Sequence, residues 1–363
     1  MVEEPRLAKP GGRIFLDFEG RKAVKIAGSL AGIEQIGASL WIGGDELTTV
    51  ERLAPSGAGR YARHHSFSLK VMFDLPGKAS EEVDLEGLSY DDSTGRLWML
   101  GSHSLRPGKP CKKMTPRDAR RALRHNKTPQ QNRYLLGYVE IRGAAELDAA
   151  SIARPVRDNA RRFSIDEDGG ELMGLLRKDK LLAPYLTIPS KDNGFDIEGL
   201  AVKDGVVRLG LRGPVVNGWA SILQLRPRKH GDSGLKLERA PNGRHGYMHH
   251  ILDLDGLGIR DLAVMGDDLL ILAGPTMAMD GPFRVFRWIG GATMEQAAYV
   301  QRADEEIECL YDIPCGYRQE HPEGMTLYRR PGHELCLLIV NGGPADRRLK
   351  APDHFEALLF DLE

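Results

Sequence analysis

The stretch Glu86-Gly87-Leu88-Ser89-Tyr90-Asp91-Asp92-Ser93-Thr94-Gly95-Arg96-Leu97-Trp98-Met99-Leu100-Gly101 decides how the rest of the chain reads. A glutamate-glycine pair leads into a short apolar run, the chain turns through Asp91–Gly95, and a second apolar run ends in glycine. Gly- and Asp-rich turns between β-prone runs are hairpin signals. The same grammar occurs four more times. Ala31-Gly32-Ile33 leads to Leu40-Trp41-Ile42-Gly43-Gly44, and Glu198-Gly199-Leu200 leads to Val207–Gly210. Arg260-Asp261-Leu262 leads to Leu269–Gly274, and Glu323-Gly324-Met325 to Leu335–Asn341. Their turns are Lys203-Asp204-Gly205, Met265–Asp268 and Tyr328–His333.

A third β-prone run follows several of these hairpins: Tyr134–Ile141, Trp219–Leu225, Phe283–Trp288 and Phe355–Leu362. Three or four strands per unit, recurring along the chain, predict blades around an axis. A β-sandwich would match the strand density but would not require one hairpin five times. The expected fold is therefore all-β, a β-propeller with five or six four-stranded blades and small helical insertions, occupying residues 1–363 as a single domain. Unit starts are spaced from about 55 to 112 residues, wider than the roughly 40–50 of compact propeller repeats. The longest interval holds either one blade with large insertions or a degenerate sixth. Two near-copies, Asp17-Phe18-Glu19-Gly20 and Asp253-Leu254-Asp255-Gly256, lack a second strand at the right offset and read as the ends of outer strands.

Helical insertions are expected at about residues 103–133 and 154–192. Thr115–His125 carries Thr115 as N-cap, Pro116 at the first helical position and Asp118 where a capping-box acid reaches back. Glu171–Leu182 places Leu172, Leu175 and Leu176 at helical spacing.

Composition excludes several classes. With 41% hydrophobic residues, 28% charged and a formal net charge of −1, the chain as a whole is not built as a polyanion binder. No run approaches the roughly 20 apolar residues of a membrane span, and Met1–Pro10 has no apolar core of a secretory signal. The default compartment is cytoplasmic, or periplasmic if a leader has been removed. Cys111, Cys309, Cys315 and Cys336 form no CxxC pair or zinc spacing and read as reduced structural thiols. His245, His249 and His250 lie in a turn entering a strand, where an i, i+4 pair shares no helical face. Asp253 and Asp255 resemble the start of a calcium loop without its later ligands. No Gly-rich phosphate loop or nucleophile elbow is present.

Propeller geometry decides which side chains meet. First strands line the channel, so the acids at their starts, Glu86, Glu198, Asp261 and Glu323, are expected at one channel mouth, rimmed by His103 and Arg212. Carboxylates gathered there must bind protons, pair with cations or hold a metal. Oxygen ligands of this kind suit Ca²⁺ or Mg²⁺. The alternative is structural: glutamates accepting backbone hydrogen bonds between blades, with glycine permitting close approach. The first insertion has ten Lys or Arg residues and a single acid, Asp118, between Arg106 and Arg133. Arg117, Arg120, Arg121 and Arg124 share one helical face, with Ala119, Ala122 and Leu123 opposite to dock it. A basic lid over an acidic mouth would trap a small anionic, phosphorylated ligand bridged by a divalent cation. A solvated charged insertion is the plainer reading, and near-neutral charge without interleaved aromatics disfavours nucleic acid.

The stretches Asn193-Gly194-Phe195-Asp196-Ile197-Glu198-Gly199-Leu200-Ala201, Leu209-Gly210-Leu211-Arg212-Gly213-Pro214 and Leu269–Thr276 with Asp280-Gly281-Pro282-Phe283 resemble a bacterial propeller family known as a domain of unknown function. The likeness runs from about Gly28 to Leu362. The Glu-Gly-Leu element is similar, more distantly, to SdiA-regulated propellers and esterase-like phytases. That resemblance implies a propeller, and its phytase side implies calcium-assisted phosphoester chemistry at the mouth. Only Glu86, Glu198 and Glu323 match the Glu-Gly element. The functional expectation is a propeller binding a small anionic ligand at its mouth, in its catalytic version a divalent-metal phosphoester or ester hydrolase in which Glu86, Glu198, Asp261 and Glu323 hold the ion. The competing expectation is a non-catalytic binding or scaffold propeller for a protein partner.

Overall fold

The hairpins form where the glycine-rich grammar places them, and their register explains why that grammar repeats. The computed structural model describes residues 7–362 apart from 21–22, 106–107, 109, 125–129, 142–159, 240–245, 278, 280, 315–320, 330–334 and 343–354. The expected turn at Tyr328–His333, Cys315, His245 and the start of the second insertion lie partly or wholly outside the described residues.

Among the described residues five units of four antiparallel strands can be traced. Their inner strands are Leu30–Ile36, Leu85–Asp91, Asp196–Lys203, Gly258–Met265 and His321–Tyr328. The paired second strands are Ser39–Gly44, Arg96–Gly101, Val206–Gly213, Asp268–Gly274 and Cys336–Gly342. Trp219–Leu225 and Phe283–Trp288 are third strands with the bounds the sequence predicts. Each inner strand touches the next, and that of unit five touches that of unit one. The result is a β-propeller. Unit five takes its outermost strand, Gly12–Leu16, from the other end of the chain, paired antiparallel with Phe355–Asp361 from Gly12↔Leu359 to Leu16↔Phe355. Tyr247–Asp253 is the outer strand of unit three, so the near-copy Asp253–Gly256 does end an outer strand, as expected.

Alternate residues of a strand face opposite sides of its sheet, and here each side meets a different neighbour. Leu97 and Met99 pack with Trp41 and Val50 of unit one, whereas Trp98 and Leu100 pack with Ile197 and Leu209 of unit three. Comparable apolar clusters fill the seams between units three and four, four and five, and five and one. The core is thus distributed over the seams.

Close to the axis the seams become polar and are fastened by side-chain acceptors. Glu34 takes the Tyr90 N–H at 3.1 Å, Ser89 Oγ takes the Val202 N–H at 2.9 Å, and Thr326 Oγ1 takes the Gln35 N–H at 3.4 Å. Asp261 takes the N–H of Met325 at 2.8 Å and of its own neighbour Leu262 at 2.8 Å, and that of Leu200 as well. It therefore ties units three, four and five together. The repeat glycines let the inner strands come this close. A Cβ on Gly87 would lie 2.6 Å from Leu200 Cβ, and one on Gly199 would lie 2.9 Å from Ile259 Cγ2.

Two helical predictions are modified. Pro116–Arg124 is helical, and Thr115 is its N-cap as expected, accepting the Asp118 N–H on Oγ1 at 3.2 Å. The Asp118 carboxylate accepts from the Thr115 hydroxyl at 2.7 Å rather than from the Thr115 backbone N–H of a full capping box. Leu123, however, is 63% exposed, so it does not dock the helix. The second helix covers only Gly170–Leu176. Asp179 stops it by accepting the N–H groups of Leu181 and Leu182, at 2.8 and 3.2 Å, which starts a new turn. Leu182 still reaches the same apolar cluster as Leu172 and Leu176. Among the described residues no helix is long and apolar enough to cross a membrane.

Replacing Asp261 by Ala would strand buried N–H groups in three units. The expected loss of stability is about 3 kcal/mol, read by urea denaturation, with Asp261→Asn losing less because its amide oxygen can still accept.

Candidate functional site

Each inner strand carries a register shift at the same place, next to the repeat glycine. The shifts fall between Leu85 and Gly87, Ile197 and Gly199, Ile259 and Asp261, and Pro322 and Gly324. The residues left out of register are Glu86, Glu198, Arg260 and Glu323; in unit one the shift spans Leu30 to Ile33 and includes Ala31. A β-bulge re-aims the side chain of its extra residue. Four charged side chains are thereby gathered at one end of the channel.

Arg260 sits where the repeat has glutamate, and Asp261 where it has glycine. The expectation that Asp261 belongs to the acidic mouth is thus corrected: one residue further along, its side chain enters the seam and bonds backbone N–H groups. The repeat alignment itself contained the signal, since Arg260-Asp261-Leu262 superposes on Glu-Gly-Leu with Arg260 on the glutamate.

Arg260 Nη1 lies 3.1 Å from Glu198 Oε2 and 2.7 Å from Glu323 Oε2, which joins three consecutive units. Arg212, at the end of the second strand of unit three, donates to Glu198 Oε1 at 2.8 Å and lies 3.4 Å from Asp196 Oδ2. Arg133 pairs with Asp84 at 2.8 Å and donates to Ser104 Oγ at 3.1 Å. Sequence reasoning missed Arg133, Asp84 and Asp196. The two aspartates each stand two residues before a repeat glutamate, in Asp84-Leu85-Glu86-Gly87 and Asp196-Ile197-Glu198-Gly199, a signal that could have found them, whereas Arg133 belongs to no repeated pattern.

The carboxyl groups of this mouth differ in character. Burial alone would raise Glu198, but Arg212 and Arg260 outweigh it and hold its carboxyl below the ordinary value. Asp196 is pushed up to about 7 by burial and by the neighbouring Glu198 charge, only partly offset by Arg212, and its Oδ1 has no hydrogen bond among the described residues. Glu86 is raised well above its ordinary range by burial, then by the charges of Asp84, Glu198, Asp196 and Asp45. Its partly exposed side chain makes no hydrogen bond or ion pair among the described residues.

His103, at the rim, donates from Nδ1 to Gly101 O at 2.7 Å, and burial pushes its pKa down to about 4. It is therefore neutral at pH 7. Arg117, Arg120 and Arg121 are exposed on their helix, and no described bond ties them to the mouth. The side chain of Arg124 lies outside the described residues.

The proposed metal set does not assemble as a chelating group. Glu198 and Glu323 are engaged by arginines and Asp261 by backbone donors, and among the described residues no group of three or more His, Cys, Asp or Glu could hold a metal ion. The opposite end of the channel, where the hairpins turn, opens into a cavity of about 470 Å³. Glu34, Ser89, Val202, Ala263 and Thr326, one from each unit, line it.

The family described as "Protein of unknown function (DUF3616)" matches residues 29–357. The chain belongs to DUF3616. No curated protein has significant sequence similarity to this DUF3616 chain. Among solved structures it is similar to the glutaminyl cyclase of Myxococcus xanthus, with 12% identity, 99% of this chain and 100% of the other covered, and a TM-score of 0.40. It is also similar to the PQQ-bound aldose sugar dehydrogenase of Streptomyces coelicolor, with 12% identity, 98% and 100% covered, and a TM-score of 0.39. Neither likeness carries an argument about ligand or activity for the DUF3616 chain.

The raised carboxyls set a pH dependence. The folded state of the DUF3616 chain binds protons at Asp196 and at Glu34, also near 7 because of burial, which its unfolded state releases near 4. Their contribution to stability is complete below pH 4 and is lost as pH rises through 7, at most about 1.4 kcal/mol per pH unit for each group. His103 and His250, lowered to about 4 by burial, act in the opposite sense below pH 6.5, so the readout is a difference. Relative to wild type, Glu34→Gln and Asp196→Asn should each lose less melting temperature between pH 5 and 8.

Proposed function

We propose that this chain is a ligand-binding propeller whose acidic mouth takes a small cationic group, met first by Glu86. The observation that carries this reading is the isolation of Glu86, a carboxyl aimed into the mouth by its bulge and left without a bonding partner among the described residues. The arginines nearby already have carboxylates: Arg212 and Arg260 share Glu198, Arg260 holds Glu323, and Arg133 holds Asp84. Counting Asp45, Asp84, Glu86, Asp196, Glu198 and Glu323 against Arg133, Arg212 and Arg260, acid is in surplus. A cation would relieve that surplus and favour the ionised form of Glu86. An organic ammonium group suits the site better than a chelated metal, because few carboxylate oxygens are free to coordinate one.

A small anionic ligand is the second reading, favoured by Arg117, Arg120 and Arg121, exposed and unpaired among the described residues. Ca²⁺ or Mg²⁺ would be the bridge in its phosphoester or ester hydrolase version, with Arg212 then having to exchange a carboxylate for the substrate.

A thermal-shift panel of primary amines, quaternary ammonium ions, Ca²⁺, Mg²⁺ and inorganic phosphate separates these readings. A ligand at 100 times its dissociation constant adds about 2.7 kcal/mol. The expected result is stabilisation by an amine or quaternary ammonium ion, stronger at pH 8 than at pH 5 and abolished by Glu86→Gln. Stabilisation by phosphate alone, lost in a triple Arg117→Ala, Arg120→Ala, Arg121→Ala variant, would replace this reading with the anionic one.

A further inference from the structure

The second strand of unit three carries two buried arginines four residues apart on one face. Gly210 lies between them, and a Cβ there would meet Ile259 of unit four, so this face is turned towards that unit. Arg212, at the mouth end, has Glu198 and Asp196 as partners, and their charges outweigh its burial and raise its pKa. Arg208, at the other end, is 1% exposed, and its Nε and Nη1 make no hydrogen bond among the described residues. Burial, and then the like charge of Arg226, push its pKa down only to about 10, so it stays charged at neutral pH.

Its neighbours supply no counter-charge. Across the strand Arg208 faces Gln224, whose amide nitrogen donates to Met294 O at 3.0 Å. Gln224 Oε1 is paired with His250 Nε2 at 3.1 Å, while His250 Nδ1 accepts the Ala298 N–H at 3.1 Å. Both ring nitrogens are thus satisfied by a neutral imidazole, held neutral by burial and by the Arg208 charge. Trp288 stands edge-on to His250 at 5.2 Å, fully buried, with an indole N–H that has no acceptor among the described residues. The cluster offers unused donors and a positive charge. A guanidinium taken out of water without an anion is among the costliest arrangements a protein interior can contain.

We propose that the seam between units three and four binds a small inorganic anion of about the size of chloride against Arg208. The near-complete burial of Arg208 selects for compactness, since a ligand with a tail would have to thread between two packed sheets. This site is separate from the mouth: Arg208 and Arg212 lie at opposite ends of the Val206–Gly213 strand, and either proposal can fail without the other.

The test compares wild type with Arg208→Met in thermal melts at fixed ionic strength, chloride being exchanged for gluconate, which is too large to enter. Wild type should melt higher in chloride, with the midpoint rising at each tenfold increase in concentration, and Arg208→Met should show no such dependence. Equal responses of the two proteins overturn the proposal. Stabilisation by phosphate at concentrations where chloride has no effect overturns the assignment of a monatomic anion. Bromide soaked into wild-type crystals supplies a readout independent of the variant's folding: an anomalous peak at Arg208 is expected, and its absence counts against the site.

Discussion

A displaced residue on each inner strand is the feature on which the rest of the mouth depends. Strands converging on an axis bring backbone against backbone, which the repeat glycines permit, and the bulge beside each glycine turns one side chain out of the seam. Where that side chain is charged, the ring acquires an electrostatic pattern at a fixed radius. Glu86, Glu198, Arg260 and Glu323 are brought together in this way although up to 237 residues separate them, 323 − 86. An arginine in the fourth unit converts a set of mutually repelling carboxylates into a bridged network.

The division of labour between neighbouring positions follows from the same register. A residue at the bulge addresses the channel mouth, and the next one addresses the seam. Asp261 shows the difference: one position along from Arg260, it becomes an acceptor for backbone donors of three units. Glu34, Ser89 and Thr326, three residues past the bulge position, act in the same way towards the turn end. The channel therefore has an ionic end and a hydrogen-bonded end, with apolar seams outside both.

Much of the fold was legible in the sequence because its signals are local. Trp219–Leu225, Phe283–Trp288 and the Lys203–Gly205 turn follow from alternation and from residues that tolerate positive φ, as Asp204 and Gly205 do here at 52° and 75°. The N-cap at Thr115 is equally local. The mouth was only partly legible. Glu86, Glu198 and Glu323 repeat visibly, but the charge of Asp261 points to the mouth while its register, aligned with the repeat glycine, points to the seam. Asp84 and Asp196 left a periodic trace, each two residues before a repeat glutamate, whereas Arg133 reaches the site from a short turn before a third strand and has none. Leu123 failed as a docking residue because amphipathic spacing states which side is apolar, not whether anything covers it.

The fifth sheet is woven from both ends of the polypeptide, so an ion pair such as Arg13–Glu356 spans a sequence separation of 343. Contacts this remote make loop closure a dominant entropic term and favour slow, high-contact-order folding. Local hairpins can form early, but no single unit owns the clasp. The ring is closed where Gly12–Leu16 pairs with Phe355–Asp361, so the acid–arginine mouth depends on a long-range clasp as well as on local hairpins.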